Sequence, residues 1–116
     1  LQLSRDRVSV EEAPVEILAP EHPVMNTPNK ITLKDFDHWV QERGLYFASD
    51  WDTLFTPIVK GSDPGEDTKS GSLIYAKFGK GIFIYTGLSF FRQLPAGIPG
   101  AYRLFINLIS SGKSNE

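Results

Sequence analysis

The run "SLIYAKFGKGIFIYTG" constrains this chain more than any other stretch. Leu73 to Phe78 and Ile82 to Thr86 are rich in β-branched and aromatic residues. Gly79-Lys80-Gly81 between them supplies the backbone freedom of a tight turn, so the pattern predicts an antiparallel hairpin. The second strand, "IFIYT", is apolar on both faces. Such a strand is expected inside a sheet, covered on both sides.

Helical signals flank the hairpin. In "ITLKDFDHWVQERGL", Thr32 and Asp35 have the spacing of a capping box, and Leu33, Phe36, Trp39 and Val40 recur on one face. The spacing predicts a helix over Thr32–Arg43, with Arg43 complementing the macrodipole and Gly44 as a left-handed C′ residue. In "PGAYRLFINLISSG", Ala101, Leu104, Phe105, Leu108 and Ile109 share a face, which predicts a second helix over Gly100–Ser110, with Gly112 as its stop. Val8 and Val10, and again Val15 and Ile17, fit two short strands or one strand interrupted at Pro14; "LYFASDW" reads as a short strand or extended segment, and "TLFTPIVK" as a strand that Pro57 confines to an edge or a bulge. "APEHPVMNTPNK" reads as an irregular connector and "GSDPGEDTKSG" as a solvated loop.

Strands, helix, strands and helix in that order predict an α/β domain. Its expected centre is a mixed sheet with Ile82–Thr86 interior and the two helices on its faces. The 116 residues suffice for one domain, and 41% hydrophobic against 22% charged residues can fill a core. Because the chain starts at Leu1 without Met, it reads as an excised segment of a longer protein, with 111–116 as a disordered tail. A net charge of −2 gives no electrostatic reason to expect nucleic acid or an anionic membrane as partner. No apolar run approaches the roughly 18 residues of a membrane span. The absence of cysteine rules out disulfides, thiolate metal sites and a cysteine nucleophile.

No motif discloses a chemistry. His22 and His38 lack the spacing of zinc ligands, so no metal or other cofactor is expected in this segment. "TGLSF" lacks both glycines of a nucleophile elbow around Ser89. "GEDTKSG" lacks the glycine spacing of a phosphate loop, and the carboxylates Asp35, Asp37, Glu42, Asp50 and Asp52 read as solvated faces. The stretch Tyr85 to Phe105 follows the expected central strand, at the end where open α/β sheets bind ligands. Two readings of it stand. In one, Phe90, Phe91, Leu94 and Ile98 plug the end of the sheet while Arg92 pairs with Glu42. In the other, the loop and its neighbours form a binding surface for a sugar or other small ligand. That surface would draw on Glu42, Arg43, Tyr46, Trp51, Ser89, Arg92 and Gln93.

From His22 to Ser110, and most specifically in "WVQERGLYF" and "GKGIFIYTGLSFFRQLPAG", the chain resembles the C-terminal tail of large PIG-L/LmbE-type deacetylases of the Bacteroidetes kind. The resemblance implies the later half of a flavodoxin-like, doubly wound domain of the class I glutamine-amidotransferase-like, trehalose-utilisation type. It also implies a parent N-acetylglucosamine deacetylase whose metal ligands lie upstream. Where an amidotransferase keeps its catalytic histidine, this chain has Ser89-Phe90-Phe91-Arg92, so no catalytic residue is carried over. The implied role is a non-catalytic accessory domain. Its partners would be the upstream domains of the same chain, or a second copy meeting an uncovered sheet edge, and export from the cytoplasm is compatible with the resemblance.

Overall fold

The computed structural model describes residues 2–9, 13, 15–40, 43–51, 53–63, 65–67, 69–78 and 81–111. Seven strands appear in them: β1 (Gln2–Leu3), β2 (Val15–Ile17), β3 (Ala48–Asp50), β4 (Thr56–Pro57), β5 (Val59–Gly61), β6 (Leu73–Phe78) and β7 (Gly81–Thr86). Two α-helices follow, α1 (Phe90–Gln93) and α2 (Pro99–Ser110). The α/β class holds, but the strands pair only antiparallel, in three small sheets: β1 with β3, β2 with β5, and β4-β6-β7.

The hairpin forms in the expected place, with Leu73 opposite Thr86 and Phe78 opposite Gly81. The expectation that its second strand is interior is overturned. β6 is central and β7 is the terminal strand of its sheet. Leu73, Ile74, Tyr75 and Ala76 are buried, whereas Phe83 is 45% exposed and Ile82, Ile84 and Tyr85 are half-buried. Apolarity on both faces says that a strand tolerates burial, not which side of a hairpin receives the third strand. β4 settles that by pairing Thr56 with Tyr75 and Pro57 with Ile74, and Pro57 lies in an edge strand, as its missing N–H requires.

The helix expected over Thr32–Arg43 shrinks to one 3₁₀ turn, Leu33–Phe36. Asp35 still plays its capping part, its carboxylate accepting the Thr32 N–H at 2.8 Å. Asp37 then turns extended and His38 takes φ 69, which ends the helical path. The cause lies in Gln93. Its amide oxygen accepts from Val40 N–H at 2.7 Å, and its amide nitrogen donates to the Val40 carbonyl at 2.9 Å. That two-way pairing satisfies backbone groups that a helix would otherwise use. Phe36 and Trp39 are buried as their spacing demanded, while Leu33 is exposed. Gly44 is not a left-handed cap. It bridges Val8 and Leu88, where a β-carbon would come within 2.4 Å of the Gly87 carbonyl oxygen.

The second helix stands as expected, beginning one residue earlier at Pro99, a favoured first position. It buries Ala101 and Leu104, but Ile109 faces solvent. Val24, Met25, Ile31, Phe36, Trp39, Ile58, Val59, Leu73, Phe90 and Leu104 form one core beneath it. The connector is irregular, with a 3₁₀ turn at Pro23–Met25 and a cis Thr27-Pro28 bond. Ser111, placed in a disordered tail by the sequence, is buried and donates to the Leu108 carbonyl. Val10, Pro14, residues 79–80, where the turn was expected, and residues 112–116, including Gly112, lie outside the described residues.

Candidate functional site

Three of the residues expected at a site meet in one buried cluster. Ser89 and Gln93 are fully buried and Arg43 nearly so. One turn of α1 brings Ser89 and Gln93 together, and Gln93 Nε2 donates to Ser89 Oγ at 2.9 Å. Ser89 Oγ donates in turn to the Arg43 carbonyl at 3.1 Å, and Ser89 N–H reaches the same oxygen at 2.9 Å. The Arg43 guanidinium turns inward, Nε donating to the Ala13 carbonyl at 3.1 Å and Nη1 to the Phe36 carbonyl. The expectation that Arg43 serves a helix terminus is therefore replaced. It ties three irregular segments together through carbonyls that would otherwise be buried without partners.

A nucleophilic hydroxyl needs a base as its hydrogen-bond partner and a path to substrate. Ser89 Oγ is fully buried, and its contacts with the Arg43 carbonyl and the Gln93 amide tie α1 to the Arg43 segment. His22 lies elsewhere, capping the Pro23–Met25 turn: its Nδ1 accepts from Val24 N–H at 3.2 Å, and its ring meets Tyr75 edge-on at 4.2 Å. Among the described residues no group of three or more His, Asp or Glu converges as a metal site would, and no helix is long and apolar enough to cross a membrane.

The other site residues scatter. Arg92 is half-buried with its guanidinium carbon 4.9 Å from the Phe91 ring centroid. Glu42, its expected partner, lies outside the described residues. Phe90 and Ile98 are buried and Leu94 half-buried, as a plug requires, but Phe91 is 59% exposed and takes no part in it. Trp51 is half-buried after β3. Tyr46 is 58% exposed and holds φ 56, a left-handed backbone that is uncommon outside glycine.

Sequence reasoning missed a second clamp, Asn107. It is fully buried. Its Nδ2 donates to the Val24 carbonyl at 2.8 Å and the Asn29 carbonyl at 2.6 Å, and its Oδ1 accepts from Asn29 N–H at 3.0 Å. Its signal was available: Asn107 falls three residues after Leu104, beside the apolar stripe of the second helix. Arg103 holds the same connector from the exposed side, through Asp35 Oδ1 at 3.0 Å and the Lys30 carbonyl at 2.9 Å. Asp63, also unforeseen, accepts from both Ser9 N–H and Ser9 Oγ and pins the N-terminal segment to the loop. Of the described loop residues, 65–67 are exposed, and Lys69 pairs with Glu66 at 3.3 Å.

Burial lowers the His22 pKa from its ordinary value of 6.5. The unfolded chain therefore binds more protons than the native one between the lowered value and 6.5. In that window stability rises with pH; this share is complete above about 6.5 and is lost as pH falls towards the native pKa. Protonation would also remove the Nδ1 acceptor that caps Val24. Urea melts between pH 8 and 5 should show a steeper acid loss for the unaltered chain than for His22→Asn, which keeps a capping acceptor without a titration. Parallel curves would remove His22 from the account.

No family model, no curated protein and no solved structure matches this chain.

Proposed function

We propose that this chain is a non-catalytic accessory domain of a longer protein, of the kind its resemblance to PIG-L/LmbE-type carbohydrate deacetylases implies. One observation carries the reading. Ser89, Gln93 and Arg43, the polar groups best placed for chemistry beside the hairpin, have their hydrogen bonds taken up in buried contacts with backbone. A domain whose interior polar groups serve packing supports neighbours rather than turning over substrate. The doubly wound, flavodoxin-like affinity belongs to the same proposal: upstream residues would extend the sheets.

The outer edge of β7 is where such an upstream domain, or a second copy, would add a strand, because a terminal strand presents unpaired N–H and C=O groups. The experiment compares the longer protein with and without residues 1–116, using an N-acetylglucosaminyl substrate and hydrogen exchange. Deletion should leave kcat nearly unchanged and shorten the half-life at elevated temperature. Amides of Ile82–Tyr85 should exchange more slowly in the longer protein than in the isolated chain. Deacetylation by the isolated chain, or loss of kcat on deletion without loss of stability, would overturn the accessory reading. A longer protein without deacetylase activity would remove its carbohydrate parentage.

A further inference from the structure

A cleft of about 190 Å³ opens on the surface between two segments far apart in sequence, lined by Arg5, Arg7, Leu45 and Tyr46. Both arginines are exposed, and among the described residues neither guanidinium makes a hydrogen bond or an ion pair. Asp6, between them, is not on the cleft wall. The backbone beneath is tied from both sides. Phe47 N–H donates to the Asp6 carbonyl at 3.1 Å, and the Phe47 carbonyl accepts from Ser4 N–H at 3.0 Å and Ser4 Oγ at 2.8 Å. Leu45 N–H donates to the Gly87 carbonyl at 2.9 Å, and the Tyr85 hydroxyl donates to the Tyr46 carbonyl. Pinned on both flanks, Tyr46 is held in its left-handed conformation with its ring outward. Backbone strain of this kind persists only where the surroundings over-determine it, and it concentrates at ligand sites.

We propose that this cleft binds a small ring-bearing anion, a sugar-sized ring carrying a carboxylate or a phosphate. Two guanidinium forks give planar, bidentate recognition of such oxyanions. The exposed tyrosine ring supplies an apolar face with a polar tip for the ring of the ligand. The volume is below the roughly 300 Å³ at which drug-sized pockets begin, so it suits one ring and not an oligomer. This site rests only on its own surface and stands even if the accessory reading fails.

Titration of the isotope-labelled chain with glucuronate, glucose 6-phosphate, methyl glucoside and inorganic phosphate tests it by amide shifts and calorimetry. Saturable binding is expected for glucuronate or glucose 6-phosphate, with a Kd of about 1 mM or tighter. The shifts should centre on Arg5, Arg7, Leu45 and Tyr46. Whichever of the two binds identifies the oxyanion. Methyl glucoside should fail, and inorganic phosphate should bind about tenfold more weakly, because it lacks the ring. Replacing both arginines (Arg5→Gln with Arg7→Gln) should weaken binding by about tenfold or more, the effect of removing a charge-assisted hydrogen bond to the oxyanion. Tyr46→Gly should weaken it while raising the melting temperature, since glycine relieves the left-handed backbone. Shifts centred elsewhere, no saturable binding of either acidic sugar, or binding indifferent to the arginine pair would each overturn the proposal. Equal affinity for inorganic phosphate would overturn its ring component.

Discussion

Gly100→Ala is expected to destabilise this protein by about 3 kcal/mol or more, at the upper end of overpacking costs. Helix propensity alone predicts the opposite sign, because alanine is favoured over glycine in helices by about 1 kcal/mol. Tertiary contact reverses it. A β-carbon at Gly100 would stand 1.8 Å from the Asp35 carbonyl oxygen and 2.4 Å from both its carbonyl carbon and its α-carbon. All three atoms are backbone, so no rotamer change makes room. The first turn of α2 would have to lift off the Leu33–Phe36 turn, taking with it the Arg103–Asp35 pair. Thermal and urea melts measure the loss, expected as roughly 10 °C or more in Tm for a domain of this size. An unchanged or raised Tm would mean that α2 does not dock so closely.

Asn107→Leu should cost a similar amount, about 3 kcal/mol, by a different route. The leucine fits the volume, but the Val24 carbonyl and the Asn29 N–H and C=O lose their partner. Each buried polar group left unmatched costs about 1–3 kcal/mol. Val24 is fully buried and bears the whole cost, whereas half-buried Asn29 recovers part of its loss from water. Because the connector around cis Thr27-Pro28 has no regular ladder of its own, Asn107 is its main interior anchor. Asn29→Ala keeps the backbone groups that Asn107 satisfies and removes the 3.4 Å contact of the Asn29 side chain with Asn107, so it should cost far less than Asn107→Leu. Equal losses for the two variants in urea melts would show that the bonds from Asn107 to backbone are not what anchors the connector.

How far the site was legible follows from the same contacts. Ser89 and Gln93 were among the residues from which a binding surface was expected to draw. Their purpose was not readable, because Gln93 binds Val40, 53 residues away in the chain. Arg43 looked like a surface cation at a helix end. It became a buried clamp once the helix failed to form around it. Arg5 and Arg7 attracted no notice, since their significance depends on Tyr46 coming alongside.

Local pattern was sufficient for the hairpin, the second helix, the edge position of Pro57 and the irregularity of the connector. In each case the deciding interactions lie within a few residues: period-two and period-3.6 apolarity, a tight glycine turn, a proline without an N–H. Tertiary structure alone decided that β6 and not β7 is central, and that Thr32–Arg43 stops after one turn. It also decided that Arg43, Gln93 and Asn107 spend their hydrogen bonds on distant backbone. The physical reason is common to all three outcomes. A short helix in water is marginal by itself, and a buried backbone group must be paired by whatever lies nearest in space. Where a side chain from another element offers that pairing, it outweighs a propensity of a few tenths of a kcal/mol per residue.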